Sequence, residues 1–272
     1  MDITKDSPIG IFDSGIGGLT VARAVRQALP NENIIYYGDT ARVPYGIKSV
    51  DTVREYALQI TRFLIERKVK MILIACNTVS ASVNGHIIEA AHPIPVLDVI
   101  QAGRDAALKQ MGQNKRIGVI GTLATIGSGS YDRALNSVDP EISIFSRACP
   151  LLVPLAEEGW VDNEIARKTL EIYLGDFHDR GLESLILGCT HYPLFKDTIN
   201  EVLQPNPPKI VDSASAIADS ARHKLEELNL INDTNNEKGS FSCYVSDKPQ
   251  RFQQLAERFM GSPIHRVDIV RL

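Results

Sequence analysis

A chain of 272 residues with 44% hydrophobic and 23% charged side chains can bury one large core or two compact ones, and that balance excludes a disordered or fibrous class. The formal charge of -4, with basic residues scattered along the chain, leaves no clustered cationic footprint for nucleic acid. Met1 to Pro8 has no apolar signal core, and the run Met71 to Ala75 is too short to span a bilayer, so a cytoplasmic protein with no membrane partner is expected.

Short aliphatic and β-branched runs alternate with longer amphipathic stretches, the pattern of mainly parallel sheets flanked by helices, so the predicted class is α/β. The predicted strands, in chain order, are Ile9 to Asp13, Asn33 to Gly38, Lys70 to Cys76, Pro95 to Asp98, Lys115 to Gly121, Glu141 to Arg147, Glu183 to Cys189 and Lys209 to Asp212. Between the second and third, Val50, Val53, Ala57, Ile60, Phe63 and Leu64 recur at helical spacing, leaving Asp51, Arg54, Glu66 and Arg67 for solvent. That stripe reads as core packing of a covering helix. The tail adds a polar surface loop at Asp233 to Gly239, strand-like runs at Phe241 to Val245 and Val267 to Val270, and a helix around Gln250 to Met260.

The two sets of four strands read as a duplication. Lys70-Met-Ile-Leu-Ile-Ala-Cys-Asn-Thr78 aligns with Glu183-Ser-Leu-Ile-Leu-Gly-Cys-Thr-His191, and a strand ending in Asp follows each, at Asp98 and Asp212. A glycine-bearing turn precedes each, Asp13-Ser-Gly-Ile-Gly-Gly18 and Gly121-Thr-Leu-Ala-Thr-Ile-Gly127. Two similar domains are expected, 1–98 with 212–272 carrying Cys76, and 99–211 carrying Cys189. Open α/β sheets place ligands outside the carboxyl ends of their strands, so the cleft between the halves is the expected site.

The four cysteines, at 76, 149, 189 and 243, form no C-x-x-C pair, so neither a zinc site nor a disulfide framework is expected. Cys76 and Cys189 stand apart, because residues suited to starting a helix follow each: Asn77-Thr78, and Thr190-His191-Tyr192-Pro193. Free N–H groups at a helix start bind anions and can activate a thiol. The turn after the first strand, with Asp39 closing the second, suggests a dinucleotide fingerprint, but counting from Gly15 the third glycine position is Thr20, and no G-K-[ST] follows. A turn that lets backbone approach a small anionic ligand is the simpler account. Cys149 and Cys243 match no part of this chemistry and read as structural.

The segments Phe12-Asp-Ser-Gly-Ile-Gly-Gly-Leu-Thr20, Tyr37-Gly-Asp-Thr-Ala-Arg-Val-Pro-Tyr-Gly46, Ala75-Cys-Asn-Thr78, Gly121-Thr-Leu-Ala-Thr125 and Leu187-Gly-Cys-Thr-His-Tyr-Pro-Leu194 span most of the chain in order. On them the sequence resembles the glutamate racemases of the aspartate/glutamate racemase superfamily. The resemblance implies cofactor-independent inversion of the glutamate α-carbon, with Cys76 and Cys189 as acid/base groups on opposite faces. It also implies supply of D-glutamate for peptidoglycan and a homodimer. By the same resemblance Asp13 supports Cys76, while His191 and Glu157 support Cys189. The acid follows Pro-Leu and one further residue in the family pattern, which selects Glu157 over the adjacent Glu158. Ser14, Pro44, Tyr45, Gly46, Asn77, Thr78 and Thr190 then hold the substrate carboxylates and ammonium.

No metal or pyridoxal phosphate is expected, since no lysine sits in a recognisable cofactor context and no ligand cluster stands out. The chain has no long extension before Ile9, so no dependence on a cell-wall precursor as activator is expected. Three other readings stay open at this point, one of them a binding or regulatory role, for which nothing in the sequence speaks. An aspartate racemase of the same superfamily would share the paired cysteines, although the His after the second Cys-Thr and the Pro-Tyr-Gly segment favour glutamate. A thiol redox protein could cycle Cys76 and Cys189 through a disulfide. The tail segment Tyr244-Val-Ser-Asp-Lys-Pro249 departs from the Thr-Gly-Asp usual near there in the family.

Overall fold

The computed structural model describes residues 3–233 and 238–272; residues 234–237 of the expected surface loop lie outside them. Ten strands form: β1 (Ile9–Asp13), β2 (Ile34–Gly38), β3 (Met71–Ile74), β4 (Val96–Asp98), β5 (Arg116–Gly121), β6 (Ser143–Ala148), β7 (Ser184–Gly188), β8 (Lys209–Asp212), β9 (Phe241–Val245) and β10 (Val267–Ile269). Each expected strand is present, displaced by no more than a residue or two at either end. Every residue of β1, β3 and β7 is buried, which is why these strands read as unbroken apolar runs rather than alternating ones.

The strands build two sheets, ordered β10-β9-β2-β1-β3-β4 and β6-β5-β7-β8, and all pairings are parallel. Within the first, β2-β1-β3-β4 has the order of the whole second sheet, so the duplication seen in sequence is a duplication of topology. Cys76 follows β3 after one residue and Cys189 follows β7 directly, at equivalent places. Asp98 and Asp212 correspond too, and both are helix caps. Asp98 Oδ1 accepts from the Ile100 and Gln101 amides, and Asp212 Oδ1 from the Ala214 amide at 2.9 Å.

The helix Ser213–Glu227 packs against both Leu19–Ala28 and Val99–Gln110 and so joins the two sheets. The covering helix spans Val50–Glu66, with Ser49 accepting from the Thr52 amide. Val53, Ala57, Ile60, Phe63 and Leu64 are buried as the periodicity requires, but Val50 is 54% exposed because it opens the first turn, before the stripe reaches the sheet. The tail is anchored by a buried ion pair: Lys70 lies 2.6 Å from Glu32 and donates to the Leu230 carbonyl, while Glu32 accepts from the Asn232 amide.

Two local expectations are corrected. Residues 121–127 form no glycine turn; Thr122 accepts from the Thr125 amide and starts a short helix, Leu123–Gly127. After Cys189 the chain makes a 3₁₀ turn, Tyr192–Phe195, before the α-helix Lys196–Val202. Tyr192 and Phe195, three residues apart and both fully buried, match the three-residue period of that turn. Among the described residues no helix is long and apolar enough to cross a membrane.

Candidate active site

A cavity of about 340 Å³ opens between the carboxyl ends of the two sheets, where such folds bind ligands. Asp13, Ser14, Pro44, Tyr45, Gly46, Cys76, Asn77, Thr78, Glu157, Cys189, Thr190 and His191 all line it. The structure thus gathers every site residue expected from the sequence around one space. It also places Gly15, Ile16, Val43, Ile47, Thr122, Leu123, Pro150, Val153 and Pro154 there, none of them among the expected site residues. Glu158 is exposed and does not line the cavity. The four cysteines are free thiols, and among the described residues no cluster could hold a metal ion.

On one side, Cys76 caps the helix Asn77–Ala91. Burial and the Asp13 carboxylate push its thiol up to about 12, against the pull of the Val79 and Ser14 amides and the Ser14 hydroxyl. Cys76 therefore holds its proton near neutral pH. Asp13 ends β1, and its Oδ2 accepts from the Gly15 amide at 2.9 Å. Burial lifts its carboxyl above the usual range, while His191 and the backbone N–H groups of residues 14, 15 and 18 pull it down. A carboxyl so placed can exchange a proton with its surroundings more readily than an exposed aspartate.

On the other side, Cys189 Sγ lies 3.8 Å from His191 Nδ1, and His191 Nε2 lies 3.4 Å from Glu157 Oε1. Burial alone would lower the histidine's pKa, but its bonds to Cys189 and Glu157, with the charge of Asp13, raise it to about 10. His191 is cationic at neutral pH. Two tail residues set this pair: the Phe259 ring meets His191 edge-on with centroids 5.2 Å apart, and Arg258 donates to the Glu157 carbonyl at 2.7 Å. Both lie on the helix Pro249–Met260, and no local motif marks them.

Asp39 is fully buried, and its carboxylate is engaged by protein groups. Its carboxylate accepts from Arg42 at 2.6 Å, from Ser246 at 2.8 Å and from the Tyr45 hydroxyl. This network holds the loop Val43 to Ile47 over the cavity and ties it to the tail, where Ser246 also accepts from the Ala41 amide. The tail segment that departs from the family pattern thus supplies a loop anchor through Ser246. The Gly15–Gly18 turn meets both the cavity, which Gly15 lines, and the protein around it. None of its glycines has positive φ. A Cβ on Gly17 would lie 2.3 Å from Thr190 Oγ1 and one on Gly18 2.5 Å from the Asp13 Cβ. These two glycines let protein pack against protein, and the turn joins the halves, with Thr20 donating to the Thr190 carbonyl at 3.0 Å.

Fold and site together define a class: two like-ordered parallel sheets that set a buried cysteine, with its own titratable neighbours, on each side of one small cavity. Comparison with known proteins agrees. The family model for Asp/Glu/Hydantoin racemase matches residues 19–221. The chain is similar to a glutamate racemase of Syntrophus aciditrophicus, 49% identical over 97% of each chain. A solved structure of the Francisella tularensis glutamate racemase in complex with D-glutamate superposes with a TM-score of 0.90 at 41% identity, covering 98% of both chains. The Bacillus anthracis isoform RacE1 does so with 0.92 at 36%, again over 98% of both. The chain belongs to the Asp/Glu/Hydantoin racemase family.

Proposed function

We propose that this protein is an isomerase that interconverts L- and D-glutamate by proton transfer at the α-carbon, with Cys76 and Cys189 serving opposite faces. The observation that carries the reading is that both thiols, each with its own titratable neighbours, line the same small cavity at equivalent ends of β3 and β7. The choice of glutamate is supported by full-length relatives of that name and by the D-glutamate complex of the similar Francisella enzyme.

The sulfur on one face takes the α-proton, and the C–H electron pair stays on the substrate as a carbanion-like state. Donors aimed at the α-carboxylate stabilise that charge. Ser14, Asn77, Thr78 and Thr190 supply such donors, while Pro44, Tyr45 and Gly46 close the space around the side chain. The S–H on the opposite face then gives its proton to carbon. The two sulfurs have now exchanged protonation states. Asp13 beside Cys76, and the His191–Glu157 pair beside Cys189, return them to the starting state by proton exchange with solvent.

Division into 1–98 with 212–272 and 99–211 belongs to this proposal, supported by the change of sheet after β4 and after β8. A homodimer and supply of D-glutamate for peptidoglycan come from the resemblance. Circular dichroism of L-glutamate, D-glutamate and both aspartates, each incubated with the pure protein, tests the function. Both glutamate signals are expected to decay to zero while the aspartates persist. Faster decay of aspartate would contradict the choice of substrate.

A further inference from the structure

Asn77 lines the cavity and is 4% exposed. Its Oδ1 accepts a hydrogen bond from the Tyr131 hydroxyl at 2.8 Å, yet its Nδ2 is buried without a partner. Buried donors are rarely left so, and one beside a cavity points to an acceptor on a ligand. Tyr131 comes from the other half, on the helix Ser130–Asn136 between β5 and β6, and is 1% exposed. Its seat depends on a glycine. A Cβ on Gly188 would lie 2.9 Å from the Tyr131 Cε2.

The proton count decides which way the amide faces. Ser213 donates its single proton to the Leu187 carbonyl at 3.1 Å. Tyr131 also has one proton, and burial pushes its phenol well up, so the proton stays. Two oxygens lie near it, Asn77 Oδ1 at 2.8 Å and Ser213 Oγ at 3.4 Å. Hydrogen bonds of this type span about 2.5–3.0 Å, so the proton goes to Asn77. An oxygen fixed toward Tyr131 turns the NH2 group of the same planar amide away from it.

We propose that Tyr131 is a positioning residue for substrate binding, locking the Asn77 amide with its NH2 group toward the cavity, where it donates to a substrate carboxylate. The proposal rests on the glutamate reading above. Without the phenol the amide is free to rotate and to present its oxygen, which repels a carboxylate.

Racemisation kinetics in both directions for the wild type, Tyr131→Phe, Asn77→Ala, the double variant and Ser213→Ala test it, with unfolding midpoints recorded for each. Tyr131→Phe is expected to lower kcat/KM about tenfold, mainly through KM, as befits a lost hydrogen bond to a charged group. The double variant is expected to match Asn77→Ala within about twofold, because Tyr131 acts only through that amide. Ser213→Ala leaves the Tyr131–Asn77 bond in place and should keep wild-type kinetics. A Tyr131→Phe loss that multiplies in the Asn77→Ala background, or that Ser213→Ala reproduces, would overturn the positioning role, as would unchanged kinetics in Tyr131→Phe. Failure of the wild type to turn over glutamate would instead overturn the functional reading.

Discussion

Cys76→Ala and Cys189→Ala are each expected to lose racemisation in both directions, with kcat/KM falling about 1000-fold or more, the scale of a removed acid/base group. Loss both ways follows from the proton cycle, since every turnover needs one sulfur to accept and the other to donate. The remaining thiol serves a single face, so it can exchange the α-proton of one enantiomer without inverting it. The other two cysteines provide the control. Cys149 and Cys243 are buried, and neither lines the cavity; the Cys149 thiol contacts the Arg147 carbonyl at 3.7 Å. Their alanine variants should keep rates close to wild type. Racemisation rates are measured by circular dichroism from each enantiomer. Substantial racemisation by Cys76→Ala or Cys189→Ala would remove that sulfur from the mechanism.

Gly17→Ala is expected to damage both stability and turnover although residue 17 does no chemistry. The added methyl would lie 2.3 Å from Thr190 Oγ1 and 2.5 Å from His191 Cε1 and Nδ1. Neither neighbour can yield easily. Thr190 is held through its carbonyl by Thr20, and His191 is set between Cys189, Glu157 and Phe259. Overpacking of this kind costs about 2 kcal/mol, which for a chain of this size lowers the unfolding midpoint by about 4–8 °C. Pushing His191 away from the Cys189 sulfur is expected to cost about 100-fold in kcat/KM, within the range of a lost acid/base partner. Gly127→Ala, where an added Cβ meets nothing within 4 Å, should leave both unchanged. Thermal unfolding and steady-state kinetics of the two variants decide it, and a wild-type-like Gly17→Ala would show that the turn is not needed for close packing.

What was legible in the sequence was whatever leaves a local mark. β1, β3 and β7 are buried on both faces and read as apolar runs. The two Cys-bearing strand ends align with each other, and that alignment anticipated the shared strand order of the sheets. Asp13, Ser14, Cys76, Asn77, Thr78, Cys189, Thr190 and His191 sit in short motifs that follow strands, where the topology brings them to one edge. Residues that act from a distance left no such mark. Phe259 and Arg258 reach His191 and Glu157 from a helix near the carboxyl end, and Tyr131 crosses from the other half to Asn77. Asp39 did stand out, but its burial with Arg42, Tyr45 and Ser246 depends on β9 pairing with β2, which no local pattern announces. Of the glycines in residues 15–18, Gly15 lines the cavity while Gly17 and Gly18 serve close packing, two uses that ask for the same missing side chain.

Incorporation of solvent deuterium at the α-carbon, followed by mass spectrometry after separation of the enantiomers, tests the two-thiol account most directly. A thiol carries one proton, so the sulfur that takes the α-proton cannot pass it to the opposite face, and the proton delivered there has come from solvent. With either enantiomer as substrate in deuterated water, product formed early should carry deuterium at the α-carbon while unreacted substrate remains largely protiated. Substantial protiated product at early times would show the original proton being carried across by a single base, and would contradict the assignment of Cys76 and Cys189 to opposite faces.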